Sequence, residues 1–309
     1  MPEQAIDVLI ATYNGARTWP AMLEALARLQ PTRRPVRFLV IDNGSTDDTP
    51  AILRDWAHRL PIQLELCPQP GKMAALRHGA GLLRGDLTVM TDDDILPAPE
   101  WLAAYEAAAD AHPQAALFGG PITPTPFEPL DPWYEAVDGF RHVLFALSNE
   151  PEGVVDAEAS VYGPNYMMRT QSARSVLLAP SQLGPTRGSS FPLGDETHLI
   201  RQVRRQGGGF WYVRAAAVGH LVRRDYTTLD YMLKRAQRHG RGNAILSVRG
   251  AGDVVSRAGK AALCGARAVK LSLTAGGLDR SRPDPGVFAH LYHLNWNVGA
   301  LKGALLGPF

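Results

Sequence analysis

Residues 86–94 read DLTVMTDDD, a short apolar run that ends in three consecutive carboxylates, Asp92, Asp93 and Asp94. A run of that length between Gly85 and a block of acids predicts a strand buried on both faces. Three comparable runs precede it at 5–12 (AIDVLIAT), 36–42 (VRFLVID) and 62–66 (IQLEL). Helical patterns over 18–29, 47–59 and 73–83 separate the four, the second opening behind a capping-box pattern at Ser45 and Asp48. Strands that alternate with helices predict an α/β fold with a mostly parallel sheet, helices on both faces and ligands at the carboxyl ends of the strands.

Beyond residue 120 the alternation stops. Pro-rich loops from 121 to 164 surround one expected helix at 133–147. An extended segment at 160–169, a Gly, Ser and Pro loop at 179–194, a helix at 195–206 and a strand at 210–218 follow. A basic helix at 227–239 leads to a tail with two helical stretches, near 254–273 and 287–306.

The 309 residues are 45% hydrophobic and 20% charged, which excludes wholesale disorder, collagen-like repeats and a disulfide-built scaffold. Cys67 and Cys264 stand far apart with no CxxC spacing, so a reducing compartment is expected and a zinc site is not. The net charge of +2 hides an asymmetry: residues 1–200 hold 14 Lys and Arg against 25 Asp and Glu, and residues 201–309 hold 18 against 5. A basic C-terminal third points to an anionic partner, either phosphate groups or a membrane surface. No nucleic-acid motif accompanies it. The apolar run at the start lacks a basic region before it and contains Asp7, so no signal peptide is expected, and 285–301, with two His and two Asn, is a poor membrane span. The expected location is cytoplasmic, peripheral to the inner membrane face.

Three adjacent carboxylates at a strand end repel one another unless a hard cation or a set of donors offsets their charge. The first strand runs into Thr12, Tyr13, Asn14 and Gly15, a loop able to present backbone N–H groups to a phosphate or base and a tyrosine ring for stacking. Asp42 closes the second strand and would face the same crevice, whereas Ser45 and Asp48 read as turn and cap. Lys72 and Arg77 sit at or near the start of the third helix, where positive charge is unfavourable unless an anion is held there.

In combination, IATYNG at 10–15, VIDNGSTDDT at 40–49, PGKMAALRHG at 70–79, GDLTVMTDDD at 85–94 and GDETHL at 194–199 resemble the family 2 inverting nucleotide-sugar glycosyltransferases of the GT-A fold. The resemblance covers about residues 5–245. It implies a Rossmann-like, mostly parallel central sheet flanked by helices, divided into a nucleotide-sugar-binding half (1–120) and an acceptor half (121–245). A basic helical extension (246–309) follows. It also implies transfer of a sugar from a nucleoside diphosphate, commonly UDP, to a hydroxyl of a glycan or lipid-linked acceptor, with Mg or Mn, in cell-surface polysaccharide or glycolipid synthesis. Carried over residue by residue, Thr12, Tyr13 and Asp42 resemble the nucleoside contacts, with Asn14 beside them. Lys72 and Arg77 resemble donor-pocket contacts, Arg77 standing where the family commonly has Asn. Asp92, Asp93 and Asp94 resemble the DxD element, with Asp92, Asp94 and His220 as metal ligands, and Gly163 and Asn165 flank the acceptor.

GDETHL carries the acid expected to act as general base. Aligned to the family pattern, Glu196 takes that role, and a one-residue shift gives it to Asp195, whose shorter side chain at a helix start is the more rigidly held. Both stay open, with Asp195 preferred. Two other classes compete: a sugar-1-phosphate nucleotidyltransferase, which calls for a Gly-rich, Arg-containing loop that residues 10–17 do not supply convincingly, and a non-catalytic nucleotide-sugar-binding module at the membrane surface.

Overall fold

The computed structural model describes residues 3–154, 156–179, 191–247 and 254–306. From the N-terminus, β1 (Glu3–Thr12), α1 (Trp19–Leu26), β2 (Val36–Asp42), α2 (Thr49–Trp56), β3 (Ile62–Leu66), α3 (Lys72–Ala80) and β4 (Gly85–Thr91) alternate as their sequence patterns predict. Then come β5 (Ile95–Pro97), α4 (Trp101–Ala111), β6 (Ala115–Gly119) and β7 (Ile122–Pro126). A 3-10 stretch over Pro132–Phe140 runs into α5 (Arg141–Phe145), followed by α6 (Ala157–Ser160), β8 (Tyr166–Arg169) and α7 (Thr170–Leu177). The remainder comprises α8 (Asp195–Arg205), β9 (Gly209–Tyr212), β10 (Val218–Val222), α9 (Leu229–Ser247), α10 (Val254–Ala275) and α11 (Pro285–Leu306).

The central sheet has seven strands in the order β3-β2-β1-β4-β8-β6-β9, and β5-β10-β7 form a smaller one. In the central sheet β8 runs antiparallel to both β4 and β6, and the other adjacent pairs are parallel. Because successive side chains of a strand point to opposite faces, the continuous apolar runs feed two separate cores. Ile6, Val8 and Ile10 join Phe38, Val40, Leu87 and Val89 against Trp19 and Leu23 of α1. Leu9, Leu39, Ile41 and Met90 join Leu76 and Ala80 of α3 on the other face. Each of these fully buried aliphatics contributes about 1.5–3 kcal/mol by leaving water. The one acid inside β1, Asp7, is fully buried and satisfied: it accepts from Arg37 Nε at 2.8 Å and from the N–H groups of Arg84 and Gly85 at 2.6 and 2.9 Å.

The described residues fall into two compact units interleaved along the chain: Met1–Thr125, Phe145–Pro180 and Glu196–Leu221 in the first, Pro126–Leu144, Ser181–Asp195 and Val222–Phe309 in the second. The second is built on α9, α10 and α11. α9 and α11 approach through glycines: a Cβ on Gly240 would stand 1.9 Å from the Trp296 carbonyl oxygen, and one on Gly299 2.0 Å from that of Gln237. α10 packs on α11 through Ala261 and Cys264 against Ala300 and Ala304.

Several elements differ from the sequence reading. α2 begins at Thr49, and its first turn is held by Asp47, which accepts from the Thr49 N–H at 3.1 Å and hydroxyl at 2.6 Å, rather than by a Ser45–Asp48 box. The expected helix at 133–147 is a 3-10 stretch bent at Val137 (φ −116°) and a short α5, ended by Ala146 at φ 59°. The extended segment at 160–169 is α6, a turn and β8, and the strand at 210–218 is two strands in different sheets. α9 does not stop at His239 but continues through Gly240 and Gly242. Most of the expected loop at 179–194 lies outside the described residues.

Candidate active site

The carboxyl ends of β1, β2 and β4 meet at one edge of the sheet, since Thr12 pairs with Asp42 and Ile10 with Thr91. β1 turns into α1 at Asn14, whose φ of 55° reverses the chain. Asn14 is a brace: its N–H donates to Ser45 Oγ at 2.9 Å, and its Oδ1 accepts from the Thr46 N–H at 2.8 Å. The Ala16 N–H donates to Asp47 at 3.0 Å, so the loops after β1 and β2 are laced together. Asp42 is buried, and its Oδ1 accepts from the Ser45 N–H at 3.0 Å. Tyr13 stands exposed at the rim.

The three aspartates after β4 each have a different partner. Lys72, the first residue of α3, pairs with Asp92. Thr12 donates its hydroxyl to Asp93 and accepts from the Trp19 indole N–H at 2.9 Å. Desolvation, then the charge of Asp94, raise the Asp93 carboxyl to about 7 against the Thr12 hydrogen bond, with Asp92 a smaller contribution. Asp94 Oδ1 lies 3.5 Å from Nε2 of His220 in β10, and its carbonyl accepts from the Leu221 N–H at 2.8 Å. Desolvation disfavours the charged His220 ring; Asp94, the Phe145 carbonyl on Nδ1 and Asp92 outweigh it, and the pKa is raised. His220 therefore lies within a strand beside the acids, and not beyond a strand end.

The turn before β8 closes the floor. The Thr91 hydroxyl donates to the Pro164 carbonyl at 2.6 Å, setting Gly163 under the aspartates. A Cβ on Gly163 would lie 2.7 Å from Glu196 Oε1, 3.2 Å from Lys72 Nζ and 3.3 Å from Asp92 Oδ2. Glu196 thus shares a point in space with the Lys72–Asp92 pair. Tyr162 is close enough for desolvation, then Glu150 and Glu196, to push its phenol up to about 12. Asp195, one residue earlier, is buried, and its Oδ1 has no hydrogen-bond partner among the described residues.

Two expected contacts have other duties. Asn165 is fully buried, its Oδ1 accepting from Trp101 Nε1 and the Tyr105 hydroxyl, both at 2.8 Å, and its Nδ2 donating to the Pro121 and Ala216 carbonyls at 3.0 and 2.7 Å. With both ends of the amide taken, it fixes the turn that carries Gly163. Arg77 donates to the Leu177 and Ala179 carbonyls, both at 3.3 Å, bracing α3 against the end of α7. Asn43 escaped the sequence reading. It is buried, donates to the Cys67 and Gln69 carbonyls at 3.1 and 2.6 Å and accepts from the Gly71 N–H at 2.7 Å, which places Lys72. Its position directly after the strand-ending Asp42 was the available signal.

Among the described residues no three His, Cys, Asp or Glu side chains gather tightly enough to cage a metal ion by themselves. The donor set still suits one: the two hard carboxylates fit Mg or Mn, the imidazole fits Mn, and Mg typically completes its shell with substrate phosphates and water.

A mostly parallel sheet with an antiparallel strand beside β4, and an acid cluster at the end of β4, defines the GT-A fold. Solved structures share it. The mannosyltransferase PcManGT from Pyrobaculum calidifontis in complex with GDP-Man and Mn2+ has a TM-score of 0.59 at 19% identity, over 98% of this chain and 89% of that one. S. aureus TarS 1–349 in complex with UDP-GlcNAc has a TM-score of 0.54 at 14% identity, over 96% and 91%. Residues 7–157 match the model of glycosyl transferase family 2. Over that stretch the chain is similar to the glycosyltransferases of that family. Validoxylamine A glucosyltransferase of Streptomyces hygroscopicus subsp. jinggangensis (strain 5008) is 31% identical over 105 residues, which are 33% of this chain and 25% of that protein.

Proposed function

We propose that the protein transfers a sugar from a nucleoside diphosphate, a UDP-sugar first, to a hydroxyl of a glycan or lipid-linked acceptor, inverting the anomeric centre. The observation that carries this reading is the convergence of Glu196, Lys72 and Asp92 on Gly163. An acid that can take a proton lies beside a cation that can meet a leaving diphosphate. Glycine fits between them, where a Cβ would press on Glu196 at 2.7 Å. The acceptor hydroxyl gives its proton to Glu196 as its oxygen attacks the anomeric carbon, and the bond to the diphosphate breaks on the opposite face. Lys72 turns from Asp92 toward the departing phosphate. Asp92, Asp94 and His220 would hold a divalent cation, which when bound offsets charge on the diphosphate. Thr12, Tyr13 and Asp42 line the nucleoside end, and Asn14 and Asn43 hold those loops in register.

The basic C-terminal third favours an acceptor at an anionic membrane surface, and two buried free cysteines, Cys67 and Cys264, accord with the cytoplasmic side. Thermal shift against a panel of UDP-, GDP- and dTDP-sugars, with and without Mn, tests donor and cation together. A stabilisation by one UDP-sugar that requires the cation is expected. No stabilisation by any nucleotide sugar overturns the reading, and NMR of the product anomer tests inversion separately.

A further inference from the structure

α10 is a 22-residue helix with four basic residues, Arg257, Lys260, Arg267 and Lys270, and no acid. Its two sides differ. Ala261, Cys264 and Ala268 are buried, the first two against α11, and Arg257 donates to the carbonyls of Ala304 and Leu305 at 3.0 and 3.1 Å. That arrangement satisfies the end of α11. The opposite side should carry charge if it faced only water. Instead Val255, Ala262, Ala266, Val269 and Leu273 form a stripe at helical spacing, with Val255 84%, Val269 61% and Leu273 80% exposed. The stripe runs about 27 Å along the helix. Lys260, Arg267 and Lys270 lie along one flank of it with Leu263, and none pairs with a carboxylate among the described residues. Among the described residues no helix is long and apolar enough to cross a membrane.

We propose that this face of α10 lies in the plane of an anionic bilayer, the stripe set among the acyl chains and the flanking cations on lipid phosphates. Exposed hydrocarbon in a row calls for a covering surface, and a flank of cations without acids selects a negative one. Long basic side chains beside the stripe place their methylenes with it and their charges at the headgroups. A second copy of the same face would bring Lys260, Arg267 and Lys270 near their own equivalents, which charge repulsion disfavours. This inference stands apart from the transferase reading, because it concerns neither the donor nor the acid cluster.

The test is flotation of the full chain with vesicles of phosphatidylcholine alone or mixed equally with phosphatidylglycerol. Co-flotation with the mixed vesicles, lost in high salt, is expected. The Lys260→Gln/Arg267→Gln/Lys270→Gln variant should partition about a hundredfold more weakly, and Val255→Glu/Val269→Glu/Leu273→Glu should not float. Both variants should keep the wild-type melting temperature and the same response to nucleotide. A Leu263→Trp reporter should shift its fluorescence to the blue on mixed vesicles only. Flotation unchanged in the stripe variant, equal binding to neutral vesicles, or a solution dimer that the stripe variant converts to monomer would each overturn the proposal.

Discussion

Glu196 and Asp195 are adjacent acids with different surroundings. Glu196 shares the Gly163 position with Lys72 and Asp92, while Asp195 is enclosed behind Gly194, whose φ of 116° turns the chain into α8. Rigidity at a helix start points to Asp195, whereas proximity to Lys72 and Asp92 points to Glu196, the member proposed as the base. Glu196→Gln is expected to lower kcat by about 10²–10⁴-fold, with nucleotide affinity held, whereas Asp195→Asn should leave kcat within tenfold. A steady-state comparison with a binding isotherm decides it, and the reverse order would return the role to Asp195. Asp7 offers a stability counterpart far from chemistry. Removing its carboxylate by Asp7→Ala leaves Arg37 Nε and two backbone N–H groups without their acceptor, and a loss of about 3 kcal/mol is expected in urea unfolding.

At the scale of elements, β1 to β4 were legible because β1, β2 and β4 are largely apolar on both faces, β3 alternates apolar with polar, and each junction carries turn residues. β2 and β3 lie where the pattern puts them. The later strands were not legible: β6, β9 and β10 have four or five residues, too few for periodicity to register, and their pairing is decided by distant segments. Of the candidate site, the gathering of the aspartates, Lys72 and His220 was readable from type and position. The enclosure of Asn165 and the turn of Arg77 toward α7 were not, since both depend on backbone carbonyls that sequence does not mark. α9 makes the same point, for glycines that should end a helix instead let another approach. Gly240→Ala should cost roughly 3 kcal/mol by forcing a methyl onto the Trp296 carbonyl. Gly259, in α10 with nothing within 4 Å of its Cβ position, should respond oppositely, with Gly259→Ala gaining up to about 1 kcal/mol. Paired thermal melts of the two variants measure both signs.

For the molecule as a whole, acid tolerance is set in part by His239. Desolvation, then Arg235, His142 and Arg238, depress its pKa to about 3, so the fold holds it neutral. The unfolded chain takes up that proton near the ordinary histidine value of about 6.5. This contribution is complete above that pH and drains away as pH falls toward 3, by at most about 1.4 kcal/mol per unit. His239→Gln should flatten the fall in urea midpoint between pH 7 and 4.5; parallel wild-type and variant slopes would refute it. The order of the central sheet bears on synthesis as well. β4 closes at Thr91, but its antiparallel neighbour β8 begins only at Tyr166. At ribosomal speeds of about 5–20 residues per second, the outer hydrogen-bonding edge of β4 waits about 4–15 s for its partner. Throughout that interval Asp92, Asp93 and Asp94 stand at the end of the waiting strand, where clustered negative charge repels a second nascent chain. The acids that close β4 thus also guard its open edge while the chain is being made.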